Sequence, residues 1–130
     1  QSPQNYHELE NASHSADGQN PLCGDVITVS FIKKDEIIED IAFMGSGCAI
    51  SKASASIMTS TLKGMKVEEA KVFFDNFHTL ITTGESTREM GKLSVLAGVH
   101  KYPARVKCAT LAWHTFQGAL NNTTERIKTE

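Results

Sequence analysis

The residues of this chain best suited to chemistry are Cys23, Cys48 and Cys108, with Asp25 close behind the first of them. Thiolates are the nucleophiles of sulfur transfer and the soft ligands that zinc and iron–sulfur clusters prefer. Cys23 stands in Asn20-Pro21-Leu22-Cys23-Gly24-Asp25, a turn ahead of a strand-like run. Cys48 follows Gly45-Ser46-Gly47, where a strand gives way to a helix. Cys108 falls in the first turns of the last helix, after Pro103-Ala104-Arg105-Val106-Lys107. All three thus belong to the ends of elements, where side chains converge at a rim, and none is expected in the middle of a buried stripe. A helix N-terminus offers unpaired N–H groups and partial positive charge, which favour thiolate at Cys48. With a helix start near Ala104, Arg105 shares a face with Cys108 at i, i+3 and supplies a cation beside it. Asp25 is two residues after Cys23, so in an extended segment both project to one side. Three sulfurs and one oxygen complete a tetrahedral site.

The gaps between the cysteines match no metal motif, and there is no CxxC pair. Three separate, buried and inert thiols are therefore an open alternative. An odd cysteine count argues against a disulfide framework and for the reducing cytoplasm. His7, His14, His78, His100 and His114 lack ligand-like spacing to a cysteine and read as surface or partly packed residues, His78 the nearest to an apolar stripe. Gly45-Ser46-Gly47-Cys48 lacks the GK[ST] ending of a phosphate-binding loop. Ser54 and Ser56 have no partnered base. A Cys–His hydrolase dyad would leave two cysteines and Asp25 unexplained.

The chain of 130 residues is expected to form a single domain, residues 1–130. With 22% charged residues and a net charge of −2, it lacks the basic excess of a nucleic-acid binder. No apolar run approaches the roughly 20 residues of a membrane span, and no signal peptide is visible. The start at Gln1 rather than Met suggests that an N-terminal segment, read as a helix, is missing.

The elements that must position the cysteines follow from periodicity. Residues 1–21 are polar and turn-rich and read as an irregular N-terminal arm. Val26 to Ile32 alternates as a strand with Ile27, Val29 and Phe31 on one face. Lys33 to Glu36 is a charged turn, and Ile37 to Met44 is a second strand with Ile37, Ile41 and Phe43 on one face, interrupted by Glu39. Ile50, Ala53, Ser54, Ile57, Met58 and Leu62 then take helical spacing until Gly64. A second helix covers Val67 to Thr82 with Ala70, Phe73, Phe74, Phe77, Leu80 and Ile81 on its stripe. Gly84 to Gly91 is a loop, and Leu93 to Val99 reads as a short helix. Pro103 starts the last helix, about Ala104 to Leu120, with Val106, Ala109, Trp113, Phe116 and Leu120 facing the core. Strands followed by helices predict an α+β fold, a small antiparallel sheet with helices packed on one face.

Asn20 to Asp25, Gly45 to Ser51, Ala53 to Ser56, Tyr102 to Ala109 and Leu111-Ala112-Trp113 together resemble the IscU/NifU-type iron–sulfur cluster assembly family. Asn5-Tyr6-His7-Glu8-Leu9 fits the start of that family, so the resemblance spans nearly the whole chain. In IscU proteins a histidine directly precedes the third cysteine; here that position is Lys107. This departure, the long stretch from Cys48 to Cys108 and the Pro-Ala-Arg-Val-Lys-Cys form resemble the SufU branch. The resemblance implies a zinc ion held by Cys23, Asp25, Cys48 and Cys108, and a pyridoxal-phosphate-dependent cysteine desulfurase, SufS, as partner. It implies that Cys23 accepts persulfide sulfur, that Arg105 assists the exchange, and that downstream iron–sulfur assembly proteins receive the sulfur. Two further readings stay open: a scaffold building a labile [2Fe–2S] cluster on the same cysteines, and a binding domain whose zinc is purely structural.

Overall fold

The computed structural model describes residues 5–21, 24–85, 98–99, 101–121 and 127–128. Strands β1 (His14–Asn20), β2 (Asp25–Lys34) and β3 (Ile37–Ser46) are followed by helices α1 (Ala49–Leu62), α2 (Val67–Thr83) and α3 (Pro103–Leu120), then by a two-residue strand β4 (Ile127–Lys128). The sheet order is β3-β2-β1-β4, antiparallel except for the β1–β4 pair. The α+β expectation holds, with the addition of this short parallel edge.

Three strands rather than two precede the helices. Residues 14–20, expected within an irregular arm, form β1, paired with β2 from His14↔Phe31 to Asn20↔Asp25. The segment His-Ser-Ala-Asp-Gly-Gln-Asn carries no apolar alternation because its inward positions are small or polar. Ala16, Gly18 and Asn20 are buried and Ser15 and Asp17 exposed. Smallness is required there, since a Cβ on Gly18 would strike Thr115 Oγ1 and come within 3.1 Å of Leu111 Cδ1 on α3. Ahead of β1, Asn5 to His7 runs along the outer edge of β3, exchanging backbone hydrogen bonds with Phe43. That pairing covers a strand edge that would otherwise be open.

On β2 the expected face is correct: Ile27, Val29 and Phe31 are buried. On β3 the expectation for Ile37 fails. Ile38 is fully buried and Ile37 exposed, because the register shifts after Ile32↔Asp40 so that Lys33 pairs with Ile38. Glu39 is the extra residue of this bulge, which reverses the side-chain alternation before it. The turn between the strands places Asp35 and Glu36 at φ 53° and 63°. Two consecutive left-handed residues make the hairpin turn whose twist suits the strands.

The helices lie on the inner face. α3 crosses β1 and β2 and is buried nearly all round, from Cys108 through Trp113 to Ala119, which is why a single stripe undercounts its core contribution. On α1 the buried set is Ser51, Ser54, Ala55, Met58, Thr59 and Leu62. Ala53 is exposed, and Ile50 and Ile57 are only partly buried. Hydrogen bonding explains the buried serine. Ser54 Oγ donates to Ala109 O at 2.5 Å and accepts from Trp113 Nε1 at 3.1 Å, so one hydroxyl ties α1 to α3. α2 closes the other side of the indole, with Phe77 stacked on Trp113 at 4.4 Å. Its expected stripe is buried except for Phe73, which is half-buried. Gly84 ends α2 in the left-handed conformation at φ 80°. Of the expected loop and short helix over 84–99, residues 86–97 lie outside the described residues. No described helix is long and apolar enough to cross a membrane.

Two stability outcomes follow. Ser54→Ala strands the Trp113 N–H in the core and lowers unfolding free energy by about 1–3 kcal/mol, measured by urea denaturation. An unchanged midpoint would mean that Trp113 has another acceptor. Glu36→Gly removes a left-handed penalty and raises stability by about 1 kcal/mol; a lower midpoint would refute the strain assigned to that turn.

Candidate metal and sulfur site

The inner face of β2 ends on Asp25. It continues the alternation of Phe31, Val29 and Ile27 toward the end of the sheet, and its carboxylate is 1% exposed. The side chain reaches the start of α1, where Oδ1 accepts the backbone N–H of Cys48 at 2.7 Å. Gly47 makes room for it. At φ +154° it holds a backbone conformation that favours glycine, and a Cβ there would run into Asp25 Oδ1 and lie 2.9 Å from its Cγ.

Cys48 is the N-cap of α1, with extended backbone at φ −72° and ψ 163°. Its sulfur accepts the Ser51 N–H at 3.4 Å, the capping role usually taken by a hydroxyl or carboxylate. The same sulfur lies 3.7 Å from Asp25 Oδ2. Cys108 stands in the second turn of α3 and is 3% exposed, which corrects the rim placement expected for it. Its Sγ accepts the side-chain N–H of Asn20 at 3.6 Å.

Asp25, Cys48 and Cys108 therefore form one group whose ligand atoms all lie within 4.8 Å of one another. This excludes the reading of Cys48 and Cys108 as separate thiols. The donor set fits a divalent ion. Two ligands at about 2.1 Å (oxygen) and 2.3 Å (sulfur) from one tetrahedral zinc lie about 3.6 Å apart, close to the observed separation of Asp25 Oδ2 and Cys48 Sγ. Were the three groups ionised together, each pair would repel by about 3.5–4.5 kcal/mol at an effective dielectric near 20. None of the described ion pairs includes Asp25. A cation at the centre removes that repulsion.

Cys23 lies outside the described residues, but its place in the chain is defined by its neighbours. It belongs to residues 21–24, the connection between β1 and β2, whose two ends are Asn20 and Asp25. These are cross-strand partners and both face inward. Gly24 takes φ +72°, and the same-side relation expected of Cys23 and Asp25 lies outside the described residues because it involves Cys23. Arg105 is exposed, with its guanidinium 4.8 Å from the centre of the Tyr102 ring. The described contacts do not bring it into the ligand group.

Asn20 was not legible as a site residue, because β1 has no apolar pattern to reveal its inward face. The burial of Asp25 did have a signal, the shared alternation with Ile27, Val29 and Phe31. Among the histidines, His114 rather than His78 is half-buried. Burial, then the neighbouring His78, hold its imidazole below the ordinary value. Both pack near Phe74, which places them on another part of the molecule's helical layer.

Comparison with known proteins agrees with this fold. The family model described as NifU-like N terminal domain matches residues 1–128. A Streptococcus pyogenes protein named iron–sulfur cluster assembly scaffold protein IscU is 45% identical over 78% of this chain and 65% of its own length. A Bacillus subtilis protein named zinc-dependent sulfurtransferase SufU is 40% identical over 82% of this chain and 74% of its own. This chain thus spans just under two thirds of the first relative and about three quarters of the second. A crystal structure from Fervidobacterium islandicum, described as a candidate iron–sulfur cluster assembly scaffold protein for the SUF system, superposes with a TM-score of 0.83 at 35% identity, covering 89% of this chain and 86% of that one. With its sheet, helices and Asp–Cys–Cys group in place, the chain belongs to the NifU-like N-terminal domain family, the iron–sulfur cluster assembly group whose members include proteins named IscU and SufU.

Proposed function

We propose that this protein is a zinc-bound sulfur acceptor that takes persulfide sulfur from a cysteine desulfurase and passes it to iron–sulfur cluster assembly. The observation that carries the proposal is the buried grouping of Asp25, Cys48 and Cys108. Similarity to a relative named a zinc-dependent sulfurtransferase supports it, as does Lys107 in place of the histidine found in IscU proteins.

Asp25, Cys48 and Cys108 would hold the ion, with Cys23 as the fourth ligand. When bound, zinc supplies a charge that keeps its sulfur ligands as thiolates. Cys48 caps a helix, Cys108 is buried within one, and Asp25 is bonded to the Cys48 backbone, so each is tied to regular structure. Cys23 belongs to residues 21–24 between β1 and β2, and the proposal gives it the reacting role. The freed Cys23 thiolate attacks the outer sulfur of the desulfurase persulfide. A bond forms between Cys23 Sγ and that sulfur, and the S–S bond of the donor breaks. The donor cysteine leaves as a thiolate and takes a proton from solvent; there is no net redox change. Arg105, exposed beside Tyr102, would steady Cys23 or an acidic group of the partner through charge-assisted hydrogen bonds. The partner is a SufS-type, pyridoxal-phosphate-dependent enzyme, and the setting is the cytoplasm, where thiols stay reduced.

A second reading has its own support in the relatives named iron–sulfur cluster assembly scaffold, at 45% and 39% identity. There, the same cysteines would build a [2Fe–2S] cluster.

Metal and acid-labile sulfide analysis separates the two. The sulfur-acceptor reading expects a colourless protein with about one zinc per chain, whereas a brown protein with iron and sulfide supports the scaffold. Cys23→Ala is expected to fold normally and to lose acceptance of labelled sulfur from a desulfurase. Normal persulfide transfer in that variant would overturn the role given to Cys23. Asp25→Ala is expected to lower zinc affinity in a chelator competition, and an unchanged affinity would remove Asp25 from the ligand set.

A further inference from the structure

A buried polar contact beside the ligand group that the proposed function does not use belongs to Asn20. Its side chain is fully buried at the end of β1, opposite Asp25 in the strand register. Both residues face inward beneath the start of α3 and the junction to α1. Asn20 Nδ2 donates to Cys108 Sγ at 3.6 Å, as Asp25 accepts from Cys48 N at 2.7 Å. Each end of the connection that carries Cys23 is thus anchored to one of the two helical cysteines.

An amide N–H aimed at sulfur does two physical things. It fixes the direction of the sulfur lone pairs, and it draws electron density from the sulfur that would otherwise go to a metal. Carboxamide is suited to the task. It brings a donor into a buried place without a charge, whereas a buried ammonium or guanidinium would compete with the ion for the same ligands. The donor also distinguishes the two described sulfurs, since that of Cys48 accepts from the Ser51 backbone and that of Cys108 from a side chain.

We propose that Asn20 is a positioning residue for the metal site, holding Cys108 as a permanent ligand and tuning its sulfur through the N–H···S hydrogen bond. The inference rests on the metal reading above. It makes Cys108 the ligand that stays while sulfur is exchanged elsewhere, and it ties that ligand to the strand leading into the Cys23 connection.

The test uses Asn20→Leu, close in size and without a donor, in the full chain loaded with Co²⁺. Loss of the hydrogen bond leaves the Cys108 sulfur more electron-rich, so the sulfur-to-cobalt charge-transfer band moves to longer wavelength. Zinc affinity by chelator competition falls by about 10- to 100-fold, because the lost positioning of the Cys108 sulfur outweighs its gain in donor strength. A band and an affinity that both match the unaltered protein would show that Asn20 only fills space. Should Asn20→Leu fail to fold, the unaltered protein loaded with ¹¹³Cd decides. A scalar coupling between cadmium and a side-chain amide proton of Asn20 supports the hydrogen bond to a bound sulfur, and its absence overturns the proposal. A protein that takes up neither metal overturns the metal reading, and the Asn20 inference with it.

Discussion

A buried carboxylate bonded to the first backbone N–H of a helix organises this molecule. Asp25 sits at the end of the inner face of β2 and accepts from Cys48 N. That single bond joins the sheet to α1 and brings the thiol of the N-cap residue within 3.7 Å of the other carboxylate oxygen. Burying an ion without compensation costs several kcal/mol. A carboxylate here is tolerable because an N-terminal helix dipole and backbone donor face it, and a cation would complete the compensation. Gly47 belongs to the same constraint: the carboxylate occupies the space where any larger residue would put its Cβ.

The packing of the helices serves the same geometry from the other side. Cys48 and Cys108 begin or nearly begin two different helices, so their separation depends on how α1 and α3 cross. Ser54 fixes that crossing by bonding both Ala109 O and Trp113 Nε1. Trp113 is in turn held by Phe77 of α2. β1 meets α3 closely enough that Gly18 has no room for a side chain, and that closeness carries Asn20 to the sulfur of Cys108. Small residues, often read as weak positions, set the distances on which the site relies.

The proposed function divides the sulfurs into anchored ones, Cys48 and Cys108, and an exchangeable one, Cys23. Regular structure and hydrogen bonds hold Cys48 and Cys108, while Cys23 occupies a short connection between strands. A sulfur acceptor needs such a division, because a ligand set that is equally rigid at every position would keep its metal and never react. A scaffold for a cluster would use the same atoms, and the choice between the two depends on which ion or cluster the site holds.

Local chemistry and periodicity determined much of this from the residues alone. The alternation of Ile27, Val29 and Phe31, the helical spacing through Phe74, Phe77 and Ile81, and Pro103 at a helix start each report on their own segment. The cysteines with Asp25 announced their chemistry by type. What depended on close approach between distant segments was invisible. β1 looked like an arm because α3 demands small residues there. Ile38 replaced Ile37 in the core because a bulge at Glu39 changes the register against β2. Asn20 and Cys108 are 88 residues apart, and only the crossing of α3 over the end of β1 makes one the hydrogen-bond donor of the other. Periodicity records what a segment buries, whereas the tertiary structure decides which segments share the buried space.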